Sequence, residues 1–231
     1  MKLGIMQPYF FPYIGYWQLM NAVDKYVIYD NIEYTKKGWI NRNRFLQNGN
    51  DTYFTIPLKK DSDYLNVNER YISENFDRKK LLNQIKAAYQ KAPFFSDVFP
   101  IFKEIINFES KNLFDFLYNS ILCIRNILSI KSELIISSSL KIDHSLKGQN
   151  KVLSICKILN ANQYYNAIGG TDLYSYEDFH SRGIELKFLK TKEIKYQQFK
   201  NEFQPNLSII DVMMFCSVEQ IQGFLSDYQL I

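Results

Sequence analysis

Four consecutive residues, Asn41-Arg42-Asn43-Arg44, place two amides and two guanidiniums at a spacing of two. In an extended strand Asn41 and Asn43 share one face and Arg42 and Arg44 the other, so the paired guanidiniums can clamp a phosphate or carboxylate. Trp39, two residues upstream, offers a ring against which a base or sugar can lie. A second polar group is Asp143-His144-Ser145-Leu146-Lys147-Gly148-Gln149. His144 is the better general base of the two histidines, and Lys147 and Gln149 flank a helix start whose N–H groups can meet an anion. His180 closes a helix whose dipole accounts for it. The pair Gly169-Gly170 permits close backbone approach to a ligand but lacks the glycine spacing of a dinucleotide fingerprint or a phosphate loop.

Residues 7–16, QPYFFPYIGY, hold two prolines, one glycine and five aromatic rings. The prolines stop a strand or helix from running through and fix the path of a loop. Gly15 then opens the start of the next helix to a ligand, and Gln7, Tyr9 and Tyr16 present amide and phenol groups suited to sugar or ribose hydroxyls. Phe10, Phe11 and Tyr13 read equally well as a plug that seals the core.

Several function classes drop out. There is no HExxH, no GxSxG and no carboxylate cluster, so no metal is implied and no nucleophile stands beside a base. Cys123, Cys156 and Cys216 lie far apart in apolar surroundings and read as reduced core residues. The net charge of +4 comes from 28 basic residues scattered among 24 acidic ones, which argues against a nucleic-acid partner. No stretch approaches ~18 apolar residues and no signal-peptide profile opens the chain, so a cytoplasmic location without a membrane-spanning segment is expected.

Positioning these groups requires an α/β arrangement. The patterns predict strands over 2–6, 25–30, 133–137, 162–166 and 184–189, alternating with helices over 13–23, 148–160 and 175–182, and a helical pair over 207–228. Asn48-Gly49-Asn50 marks a hairpin within 38–58, and helices fill 77–128. The expected fold is Rossmann-like: one domain over 1–231 with a mostly parallel sheet and an inserted β-hairpin and helical segment. The loops after strands 2–6, 133–137 and 162–166 then leave one carboxyl edge, bringing Gln7, Tyr9 and Gly15 towards His144, Lys147 and Gly169-Gly170. The Trp39 to Arg44 segment is expected to roof that cleft.

The stretches MQPYFFPYIGYWQL, VDKYVIYDNIEY, KKGWINRNRF, YFTIPLKK, KAPFFSDVFP, LKGQNKVLSICK, YYNAIGGTDLYS and FQPNLSIIDVMMF resemble, in this order, the motifs of the WbqC-like family. The resemblance implies a place among bacterial O-antigen and related surface-polysaccharide functions. It further implies transfer of glycine or another acyl or amino-acid group onto the amine of a nucleotide-linked amino sugar, with ATP or an activated acyl donor as co-substrate. A non-catalytic nucleotide-sugar-binding or accessory role in glycan assembly is the alternative. A weaker resemblance, to adenylate-forming and nucleotidyl-transfer α/β proteins, rests on Gly15. There Tyr16 stands in place of a histidine and supplies no cation.

Overall fold

Lys2–Met6 forms β1, and its centre, Leu3-Gly4-Ile5, is buried on both faces, as a strand inside a parallel sheet requires. The computed structural model describes residues 1–200 and 202–231. Strands β2 (Lys25–Ile28), β5 (Glu133–Ile136), β6 (Gln163–Ala167), β7 (Glu185–Thr191) and β8 (Tyr228–Leu230) join β1 in the order β5-β2-β1-β6-β7-β8. The first five run parallel and β8 is antiparallel to β7. The chain steps outward from β1 through β2 and β5, then resumes on the other side with β6 and β7, so the strand order reverses at β1.

Successive residues of the strands feed two cores. Leu3, Ile5, Val27, Tyr164 and Phe188 pack beneath α5 (Gly148–Ile158) and α6 (Tyr176–His180). Tyr26, Ile28, Tyr165 and Leu189 face a larger core holding α1 (Ile14–Asn21), the hairpin β3 (Arg42–Gln47) and β4 (Asn50–Thr55), and the helices α2 (Arg78–Tyr89), α3 (Phe95–Asn107) and α4 (Leu113–Ile127). Helices α7 (Ile209–Phe215) and α8 (Val218–Phe224) close that side. The hairpin turns at Asn48 and Gly49, both in the left-handed region at φ 52° and 80°.

Two differences from the sequence expectation have plain causes. The last helical region is shorter than 207–228, because Ser217 caps a new helix and the chain then ends in β8. That strand is three residues long, Tyr-Gln-Leu, too short for a period to register. It is held through Gln18, a fully buried amide of α1 whose Nε2 donates to the carbonyls of Phe224 and Asp227 and whose Oε1 accepts from Thr191 Oγ1 at 2.7 Å. The same three bonds fix the carboxyl end of β7 beside the start of α1.

Candidate functional site

The loop leaving β1 does not pass over the sheet edge towards α5; it turns into the larger core. Phe10 and Phe11 are buried against Phe54, Phe102 and Phe116. Phe11 holds φ at 45°, a strained value for a bulky residue, and the carbonyls on either side of that turn are captured by Asn43 Nδ2 at 3.0 and 2.9 Å. Buried Asn43 is thus the clamp between hairpin and loop. Asn41, also buried, accepts from the Tyr34 hydroxyl and donates to the Ile56 carbonyl, both at 2.8 Å. The two asparagines face inward and the two arginines face outward, each pair on one side of β3.

The outward side builds an aromatic platform. Trp39 and Tyr53, 38% and 52% exposed, stack with centroids 6.3 Å apart and planes 18° from parallel. Arg42 lies 4.8 Å over Tyr53 and Arg44 lies 5.4 Å over Trp39, so a guanidinium flanks each ring. Their charges are used differently. Arg42 donates only to the carbonyls of Gly38 and Lys37. Arg44 pairs with Asp51 at 2.7 Å and reaches the Asn206 carbonyl, while its enclosed Nε has no partner.

One cavity reaches this platform and a second lies next to it. The smaller, about 310 Å3, is lined by Tyr9, Pro12, Tyr13, Trp39, Asn43, Arg44 and Asn206. The larger, about 760 Å3, runs past Thr191 at the end of β7 to Lys192, Lys195, Tyr196 and Glu202. Tyr13 and Asn206 line both, so the two form one cleft at the start of α1. Together they span the range of small-molecule sites, roughly 300–1,000 Å3.

The remaining expected residues are placed elsewhere. Gly15 does not open the helix start: the space beside its α carbon is filled by the Tyr13 phenol and Thr191 Oγ1. Tyr16 is buried, in edge contact with Tyr26, and neither hydroxyl has a partner. Burial pushes both phenols well above the ordinary tyrosine range. Gln7 is half-buried and lines neither cavity.

His144 belongs to a separate cluster at the ends of β2 and β5. Its Nδ1 accepts from Asn31 Nδ2 at 2.8 Å and its Nε2 donates to the Leu140 carbonyl at 3.0 Å; Asn31 in turn accepts from Ser137 Oγ. Lys151, 2% exposed, sits over the Tyr29 ring at the same edge, and burial lowers the pKa of its ammonium. Lys147 is exposed ahead of α5, Gln149 bonds Asp178 and the Ser175 N–H, and Gly170 admits the Asn166 amide where a side chain would clash. Gly169 has open space beside it. None of His144, Lys147, Gln149, Gly169 and Gly170 lines the cleft. The structure therefore brings Tyr9, Trp39, Asn43 and Arg44 together and leaves the His144 group apart.

Sequence reading passed over the 191–207 stretch, which has no regular period, and also Asp211. This carboxylate is fully buried in α7 and accepts from the Tyr89 and Tyr196 hydroxyls at 2.7 Å and from Gln198 Nε2 at 2.6 Å. Its signal was a single acid in the apolar run LSIIDVMMF.

The model of one protein family, described as the WbqC-like protein family, matches residues 7–223. The chain belongs to that family. The WbqC-like match takes in both the cleft and the His144 cluster. The chain is also similar to the uncharacterized protein Rv1507c of Mycobacterium tuberculosis (strain ATCC 25618 / H37Rv), 25% identical over 227 residues, covering 94% of this chain and 95% of that one. No solved structure matches. Among the described residues of this WbqC-like protein, no helix is long and apolar enough to cross a membrane, and no group of His, Cys, Asp and Glu is arranged to hold a metal ion.

Proposed function

We propose that this WbqC-like protein transfers an acyl or aminoacyl group, of the glycine type, to the amine of a nucleotide-linked amino sugar in surface-polysaccharide assembly. The observation that carries the reading is the cleft whose smaller cavity is lined by Trp39, one ring of the Trp39–Tyr53 platform, and by Arg44. A base stacks on such rings, and a diphosphate suits the Arg44 guanidinium that lines the smaller cavity. The larger cavity then receives the amino sugar and the donor.

In the transfer the amine nitrogen bonds the acyl carbon, the donor's leaving group departs with its bonding electrons, and the nitrogen gives up a proton. Glu202 lines the larger cavity, is exposed and makes no ion pair among the described residues, so its carboxylate is the acceptor we assign. The test is incubation of the purified chain with dTDP-linked amino sugars, glycine and either ATP or pre-activated donors, followed by mass spectrometry of the sugar. The expected result is an adduct heavier by the acyl group; no adduct across the donor panel overturns the transferase reading.

A second reading, a binding protein of glycan assembly without turnover, is favoured by the state of His144. Both ring nitrogens are already engaged, so it takes a proton only if Asn31 releases Nδ1. Calorimetric binding of the nucleotide sugar without any adduct supports this reading over the first.

A further inference from the structure

The chain has six arginines, and five of them donate to a carbonyl or a side-chain oxygen: Arg42, Arg44, Arg78, Arg125 and Arg182. Arg70 does not. It is 4% exposed, yet its side chain makes no hydrogen bond and no ion pair among the described residues. Its Nε and Nη2 are enclosed, which leaves Nη1 as the nitrogen that meets solvent. A guanidinium stays charged at every ordinary pH, and a buried charge without a counter-ion is strongly unfavourable.

Nothing about the placement is loose. The Arg70 carbonyl accepts from Leu113 N at 2.9 Å and its N–H donates to Val67 at 3.2 Å, so the backbone is tied between a 3-10 turn and the first turn of α4. The guanidinium lies 4.7 Å over the Tyr34 ring, which fixes its plane. Tyr34 is itself held by its bond to Asn41. Burial raises the Tyr34 pKa, and the charges of Arg70, Arg42 and Lys36 oppose that rise without cancelling it. The carboxylate that feels the Arg70 charge, Asp63, is already paired with Lys36 at 2.7 Å on the surface. Arg42 has only carbonyl partners. Two guanidiniums around Tyr34 thus lack a carboxylate.

We propose that Arg70, with Arg42 and Lys36 around Tyr34, is a binding site for a phosphate dianion borne by a small-molecule ligand. Two uncompensated positive charges match a dianion better than the single charge of a carboxylate, and Nη1, the Arg70 nitrogen that meets solvent, is the donor that a phosphate oxygen can reach. Asn41, to which Tyr34 is bonded, stands two residues before Asn43 of the cleft lining, and the site does not depend on the transferase reading, since it concerns binding alone.

Thermal unfolding of the full chain tests it, with inorganic phosphate or methyl phosphate compared against chloride and acetate at matched ionic strength. The midpoint is expected to rise saturably with either phosphate and much less with acetate. Arg70→Met should weaken the phosphate response by about tenfold or more. Should that variant not fold, Arg70→Lys keeps the charge, loses the solvent-facing Nη1 and is expected to lose most of the response. Arg182→Gln, an exposed arginine outside the cleft that bonds only the Asp178 carbonyl, should keep the full response. A wild-type midpoint indifferent to phosphate means that the guanidinium is satisfied by water, and overturns the proposal. Unchanged affinity in the Arg70 variants, or its loss in Arg182→Gln, overturns the location. Acetate matching phosphate overturns the dianion. A failed transfer assay bears on none of these readings.

Discussion

The Tyr13 phenol lies over the α carbon of Gly15: a methyl group built there would meet the hydroxyl oxygen at 2.3 Å and the ring carbon bearing it at 2.4 Å. Glycine is needed here for the chain's own side chain rather than for a ligand, and Tyr13 is one of the two residues that line both cavities. Gly15→Ala is therefore expected to push Tyr13 aside, cost about 1–3 kcal/mol of stability and alter the cleft. Tyr13→Phe should not relieve the clash, because the ring carbon remains. Tyr13→Ala combined with Gly15→Ala should cost less than the sum of the two changes. Urea unfolding of the four proteins reads this out, and additive costs would contradict the contact.

Trp39 is exposed enough to be removed without damage to the core. Trp39→Ala is expected to change stability by under ~0.5 kcal/mol and to weaken nucleotide-sugar binding about tenfold, from the loss of stacking and of its contact with Arg44. Isothermal calorimetry with a nucleotide sugar measures the second effect. Unchanged affinity would remove the platform from the site.

The parallel sheet was legible because buried strands such as Lys2–Met6 and Gln163–Ala167 read as apolar runs closed by turns, with helices between them. The alternation in Asn41 to Arg44 likewise announced which side chains turn outward on β3. The expected cleft was drawn from strand order alone, and strand order says nothing of which face a loop takes. Residues 7–13 fall onto the α1 face because Phe10 and Phe11 have an aromatic core to enter, built by residues as distant as Phe102 and Phe116. Tyr9 and Tyr16 are the same residue type seven positions apart, yet one lines the cleft and the other is sealed beside Tyr26. Only packing separates them.

The engaged state of His144 makes a specific forecast. With Nδ1 accepting from Asn31 and Nε2 donating to Leu140, the ring is a link between the ends of β2 and β5. His144→Ala is expected to cost about 1–2 kcal/mol from two lost hydrogen bonds and to leave the transfer rate within a few-fold. A general base would show a loss of about 10²–10⁴-fold, with stability barely changed. Steady-state rates beside unfolding curves for this one variant separate the two roles.

Asp211 supplies the pH dependence. Its carboxyl is pushed above the ordinary aspartate value of 3.8, chiefly by burial, although the donors Tyr89, Tyr196 and Gln198 oppose the shift. The folded state then holds the proton more tightly than the unfolded one. Its contribution is fully present below 3.8 and is lost as pH rises through the raised folded value, so the Asp211 share of stability falls with increasing pH across that window. Asp211→Asn removes the titration but leaves one acceptor oxygen for three donors, at a cost of roughly 2–4 kcal/mol at neutral pH. The difference in unfolding free energy between wild type and Asp211→Asn should therefore shrink as pH rises through the window. Urea titrations at half-unit pH steps from 4 upward measure that difference directly. A gap that widens with pH would mean that Asp211 is held below, not above, its ordinary value, and that its three donors outweigh its burial.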